Sequence, residues 1–272
     1  MFASNSLVSS RVVKIISPWS VVAWIMLVGL VVTLPFAFLS GVPEELTGEN
    51  IGWLAAVGVG NVLGFGLASM AFRVGKVGIV APVLATQGAL AAVISAILGE
   101  SIAPIVAFLL LFIVCGVVLA AIAPDPAPLR HERPVLAVGL ATCAALVLGI
   151  SLYSTGHLSG ELPISWVLLP ARIVGVVAIA IPLALLGRLQ LTRAAVPMVL
   201  WMGVAEVTGV TLFSLGAEDE VAITAVLSSQ FAPIAAVLAF FLFKERLGRL
   251  QITGVAIVVV AVTALSVASA VT

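Results

Sequence analysis

The chain has 272 residues, 62% of them hydrophobic and 9% charged, with a mean hydropathy of +1.32. Soluble domains carry about 25% charged residues, so a water-soluble fold is excluded for most of this sequence. Basic and acidic residues balance at 12 each, which implies no polyanionic partner and no nucleic acid.

The first stretch, MFASNSLVSSRVVK, lacks the apolar core of a cleavable signal peptide. Nine apolar runs follow, at 18–39, 51–73, 77–98, 102–123, 134–156, 163–187, 195–216, 221–243 and 250–270. Each holds about 20 residues, enough at about 1.5 Å per residue to cross a hydrocarbon core of about 30 Å. Strands of a membrane barrel would alternate polar and apolar residues, so uninterrupted runs predict helices. The fold class is therefore an all-α, polytopic helical membrane protein. Cys115 and Cys143 lie in separate runs without metal-ligand spacing and are expected to be buried small hydrophobes.

The runs repeat. An offset of 145 residues lays GVGNVLG (58–64) on GVAEVTG (203–209), so that Gly58 meets Gly203, Gly64 meets Gly209 and Asn61 falls on Glu206. The same offset places Pro18 on Pro163 and Glu100 on Glu245, and a local slip of two pairs Gln87 with Gln230. Fixed-offset similarity marks a duplicated unit, here 1–123 and 134–272. The second unit holds five spans, an odd number that reverses orientation. The expectation is two inverted five-helix repeats, ten transmembrane helices in all, with a site near mid-membrane between them. Residue 1 aligns with Leu146, inside the run that begins at 134. The first helix is thus truncated in this chain, and the native chain is expected to start upstream of Met1.

Of the 12 basic residues, 11 fall in alternate connections, and the twelfth, Arg172, lies within a span. The positive-inside rule assigns those connections to the cytoplasm. The loop 40–50, the AEDE turn (217–220) and the C-terminus then face outward.

Short motifs add a resemblance. FASN (2–5), Ser17-Pro18, Gly99-Glu100, Pro163 and Lys244-Glu245-Arg246-Leu247 resemble, in order and place, motifs of the drug/metabolite transporter superfamily, specifically its EamA-like family. Phe2 and Ala3 stand where that family often has Trp-Gly, and Trp24 stands near a common arginine. The resemblance implies a secondary transporter of a small organic solute (amino acid, metabolite or drug) that works by alternating access. It favours an exporter in a multi-pass bacterial inner (plasma) membrane. The partners it implies are the solute, the lipid bilayer and protons as a candidate coupling ion, with no cofactor. An uptake permease of the same fold and a non-transporting membrane partner subunit are the alternatives, and both monomer and homodimer stay open. An enzyme is not expected. Neither H-E-x-x-H nor G-x-S-x-G occurs, and His131 and His157 are placed in loops.

The candidate site residues are the polar ones in apolar spans. Arg172 and Glu206 are the only charges deep in runs, each costing about 2.5–3.5 kcal/mol at a helix centre unless paired or wet. They read either as a structural ion pair or as a pathway in which Glu206 binds a cationic group or exchanges a proton. Asn61 occupies the position equivalent to Glu206. It either lines the same cavity or bonds a neighbouring helix where Gly60 and Gly64 form a GxxxG. Gln87 and Gln230 form a second symmetric pair, and Asn5, Ser6 and Tyr153 are weaker candidates. Pro82, Pro170, Pro182 and Pro233 lie within spans, where they kink helices and free carbonyls; such breaks either serve a rocking motion or, as expected for most, are merely tolerated. Trp19, Trp53, Trp166 and Trp201 sit near span ends as interfacial anchors do.

Overall fold

The computed structural model describes residues 2–99, 133–218 and 248–271, together with isolated positions of 100–132 and 219–247. Among these residues the helices are α1 (Phe2–Val12), α2 (Pro18–Ser40), α3 (Gly48–Val74), α4 (Val77–Gly99), α5 (Pro134–Leu158), α6 (Ile164–Leu185), α7 (Val196–Ala217) and α8 (Arg249–Val271). Five of them, α2, α3, α5, α6 and α7, are long and apolar enough to cross a membrane. The protein is an all-α, multi-pass integral membrane protein. The expected spans 102–123 and 221–243 lie largely outside the described residues.

The helix ends follow local chemistry. Ser17 caps α2 by accepting the Ser20 N–H at 3.2 Å, with Pro18 in the first turn where no donor is needed. Thr47 caps α3 in the same way, accepting from Asn50 N–H at 3.3 Å. Gly41 (φ 70°) follows α2, and Gly187 (φ 63°) lies just past α6. Pro82 and Pro170 sit inside unbroken helices. Pro182 has a visible effect: residues Val176–Ala180 widen into a π turn, closed by Ile181 N–H on the Val176 carbonyl. Proline lacks the N–H of a normal turn and crowds the carbonyl four residues back, and the wider turn relieves both.

Hydrogen bonds fix how the helices run. At the start of α2, Ser17 N–H donates to Gln190 Oε1 at 2.7 Å. Gln190 N–H donates to Ser20 Oγ at 3.0 Å, and the Trp24 indole donates to the Gln190 carbonyl at 3.0 Å. At the other end of α2, the Trp166 indole donates to the Gly41 carbonyl at 2.7 Å, and the Ser40 and Ser165 hydroxyls meet at 3.1 Å. Hence α2 and α6 are antiparallel and tied at both ends. Arg133 N–H donates to the Val74 carbonyl at 2.9 Å, joining the end of α3 to the start of α5.

Helices in lipid gain no hydrophobic drive from association and rely on close packing at small residues. On α3, a Cβ added at Gly60 would lie 3.0 Å from Ser151 Cβ, and one at Gly64 would lie 2.4 Å from Leu148 Cγ. The GxxxG therefore seats α5 directly on α3. One apolar cluster gathers Val12, Val21, Ile25, Val80, Ala141 and Val199 near the basic connections. A second gathers Leu54, Val57, Leu158, Val167 and Leu168 toward the opposite ends. The outer surface is also apolar, with Val31, Phe38, Leu63, Ile150 and Val260 exposed. Cys115 and Cys143 belong to that surface: both are exposed, which corrects the expectation that they are buried.

Candidate functional site: a central cavity and a buried ion pair

A cavity of about 100 Å³ lies amid the helices, lined from both halves of the sequence. From α1 come Asn5, Ser6 and Ser9, and from α3 come Asn61, Phe65, Ala68, Ser69 and Phe72. Leu84 and Gln87 of α4 close one side. The other half contributes Leu148, Ser151, Leu152 and Thr155 of α5, Met202 and Val210 of α7, and Phe231. The α5 set is spaced i, i+3, i+4, i+7, one helical face. Asn61 sits at mid-helix in α3 on the same turn as Gly60, so close packing and cavity lining coexist there.

Polar atoms in the cavity wall are incompletely matched. Asn5 Nδ2 donates to the Met202 carbonyl at 3.4 Å, which leaves Asn5 Oδ1 buried without a partner. Asn61 Oδ1 is likewise buried and unpartnered among the described residues. Ser151 gives its hydroxyl proton to the Val57 carbonyl (3.1 Å), and Thr155 gives its own to the Ser151 carbonyl (2.8 Å). Buried acceptors without donors cost about 1–3 kcal/mol each, so these two amides are incompletely satisfied beside the cavity.

Arg172 and Glu206 are paired. Arg172 Nη2 meets Glu206 Oε2 between α6 and α7, with the two side chains 1% and 0% exposed. The guanidinium lies over Gly29 of α2, where an added Cβ would fall 2.8 Å from Arg172 Cδ and Nε. Arg172 Nη1 also points at Met26 Sδ, 3.5 Å away. Among the described residues, Arg172 Nε and Glu206 Oε1 find no hydrogen-bond partner. Met202 and Val210, one turn to either side of Glu206, line the cavity, but neither Glu206 nor Arg172 does. The structure thus brings Asn5, Ser6, Asn61 and Gln87 together around the cavity, and Arg172 and Glu206 together apart from it.

Tyr153 is buried on α5 but outside the cavity lining, edge-on to Trp53 with ring centroids 5.6 Å apart. His157 is not in a loop. It lies in the last turn of α5, 5.1 Å from the Trp53 ring and stacked on Tyr153 at 5.9 Å. Gln230, Pro233, Glu100, Glu245 and His131 lie outside the described residues. Sequence reasoning passed over Ser9, Ser69, Ser151 and Thr155. The available signal was their spacing: Ser69 stands two turns from Asn61, and Ser151 and Thr155 are one turn apart on α5. Among the described residues no group of three His, Cys, Asp or Glu could hold a metal ion.

Comparison with known proteins agrees with this architecture. Residues 1–122 match the model of the EamA-like transporter family. None of the curated proteins matches the chain. A solved structure described as "Crystal structure of protein" is similar with a TM-score of 0.67 and 15% identity, covering 97% of this chain and 93% of that one. At that identity the likeness is one of fold, and it runs through both halves.

Proposed function

Residues 1–122 match the EamA-like transporter family, and we propose that the whole chain is a member of that family, a secondary transporter that moves a small organic solute by alternating access. The observation that carries this reading is the cavity at mid-helix depth, lined by Asn5, Asn61 and Gln87 of the first half and by Ser151 and Thr155 of the second, among apolar walls. Polar residues at such depth are costly unless they serve a pathway or bond one another. Export is the direction that the family resemblance supports, and the basic connections 11–14, 73–76, 130–133, 188–193 and 244–249 are the cytoplasmic ones.

The ten-helix inverted repeat is part of the proposal, and reciprocal contacts support it. A Cβ on Gly58 would lie 3.2 Å from the Pro170 carbonyl oxygen, and one on Gly203 would lie 3.3 Å from the Ile25 carbonyl oxygen. The 145-residue offset carries Gly58 to Gly203 and Ile25 to Pro170, so the two crossings are the same contact made twice. α3 on α6 and α2 on α7 are these crossings, and α2 on α6 lies between them. The pairing of Glu206 with Arg172 favours a clamp between α6 and α7 over a proton-coupling site.

The test is solute flux in proteoliposomes, with and without a pH gradient. Asn61→Leu removes a buried polar contact worth about 1–3 kcal/mol, so flux is expected to fall by about 5- to 150-fold. Wild-type flux in a folded Asn61→Leu protein would remove the cavity from the pathway.

A further inference from the structure

We propose that a groove between α3 and α6, on the outer surface and separate from the central cavity, binds one anionic phospholipid. An acyl chain fills the groove, and the phosphate lies at Arg188.

The groove follows from how the helices meet. α3 and α6 touch at Gly58, where an added Cβ would lie 3.1 Å from Val174 and 3.2 Å from the Pro170 carbonyl carbon. Two turns further along α3, a Cβ on Gly66 would fall 2.6 Å from the Trp19 ring of α2. A groove of about 510 Å³ lies here, with Val59 and Leu63 on the α3 side, Trp19 from α2, and Val174, Ala178 and Leu183 on the α6 side. Part of the α6 wall is the π turn Val176–Ala180, a deviation that often marks a functional site. Val59, Leu63 and Ala178 are exposed, and the groove shares no lining residue with the central cavity.

Its shape and chemistry fit an acyl chain. Every lining residue is apolar, so a polar molecule would lose its hydrogen bonds to water and gain none. From Val174 to Leu183 the α6 wall rises about 14 Å, close to the hydrocarbon depth of one leaflet, about 15 Å.

The head group is selected where the groove ends. Arg188 N–H donates to the carbonyl of groove-lining Leu183 at 2.8 Å, which holds the exposed Arg188 next to that end. The Ser17–Gln190 bond brings the connection 11–17 alongside 186–195. Together these segments carry Arg11, Lys14, Arg188 and Arg193 and no acidic residue. The Trp24 and Trp166 indoles donate to carbonyls, whereas that of Trp19 finds no acceptor among the described residues. It supplies a donor beside the groove, and Trp favours such interfacial positions. Basic pockets between membrane helices suit anionic head groups. A second copy of the chain, inserted the same way up, would instead bring its own basic end against this one.

The test is native mass spectrometry of the delipidated full chain in detergent, titrated with phosphatidylglycerol or phosphatidylcholine of identical acyl chains. Phosphatidylglycerol is expected to bind about fivefold or more tightly. Arg188→Gln should weaken it about fivefold, while Arg249→Gln, a basic residue at the start of α8 and away from the groove, changes it less than twofold. Ala178→Trp, which fills the groove from an exposed position, should weaken both lipids; if that variant does not fold, Ala178→Leu serves. Equal affinity for the two lipids, or equal losses in Arg188→Gln and Arg249→Gln, overturns selection by Arg188. Unchanged binding in a folded Ala178 variant overturns the groove as the site. A dimer that forms in place of lipid binding and is lost in Ala178→Trp would assign the groove to a second copy and overturn the proposal.

Discussion

Removing one partner of the Arg172–Glu206 pair tests whether it is a structural clamp. With both side chains at or below 1% exposure, loss of either partner strands the other charge away from water. Breaking such a pair costs about 3–5 kcal/mol, so Glu206→Leu and Arg172→Met are each expected to lose about that much stability. Arg172 Nε and Glu206 Oε1 are already unpartnered among the described residues, so the pair is imperfectly satisfied even when intact. Replacing both with apolar residues should therefore recover most of the loss, and buried pairs replaced in this way have proved neutral or stabilising by about 1–4 kcal/mol. The assay is a double-mutant cycle of unfolding free energies by denaturant titration in mixed micelles, with flux measured on the same proteins. A clamp requires a coupling energy of about 2 kcal/mol or more and a double variant that still transports. Strictly additive losses would refute the pairing argument. A stable double variant without flux would move the pair into the transport pathway.

Other expectations follow from close approaches and surfaces. Gly29→Val should destabilise by about 1–3 kcal/mol, because its side chain would occupy the seat of the Arg172 stem; the loss should shrink in an Arg172→Met background, and an unchanged loss would show that the seat is not the cause. Gly58→Ala and Gly203→Ala should cost similar amounts, about 1–3 kcal/mol each, if the crossings are equivalent, and thermal unfolding compares them directly. Cys115 and Cys143, exposed on the outer surface, should resist maleimides in membranes, because a thiol in hydrocarbon stays protonated and unreactive, and react once the protein is unfolded in detergent; labelling in intact membranes would mean that they face water. A cysteine at Glu45 should be labelled by an impermeant reagent from outside the cell and one at Lys14 only after permeabilisation, and the opposite pattern would invert the proposed topology.

The membrane helices were legible because each requires a long apolar run, and length alone identifies it. Their faces were not legible. These helices are apolar all round, so nothing in periodicity separates lipid-facing from protein-facing positions, and Cys143 was assigned to the wrong side of α5. The internal repeat brought Asn61 and Glu206 to attention together, and equal depth suggested one cavity for both. The outcome differs between them because Arg172 reaches Glu206 across a glycine on α2, a contact between distant parts of the chain that no local pattern encodes. α3 begins at Gly48 and not at 51 because Thr47 supplies a cap that carries polar Glu49 and Asn50 into the helix. His157 stands just past the apolar run that ends at 156 and so reads as a loop residue, but its ring packs on Trp53 and Tyr153 and the helix continues beneath it.

The bonds of Gln190 at one end of the α2–α6 seam and of Trp166 at the other turn these two helices into a spine. A strut pinned at both ends cannot tilt internally without breaking a pin. Under the proposed alternating access, the remaining helices would have to swing about this spine, or one of its two fastenings would first have to release.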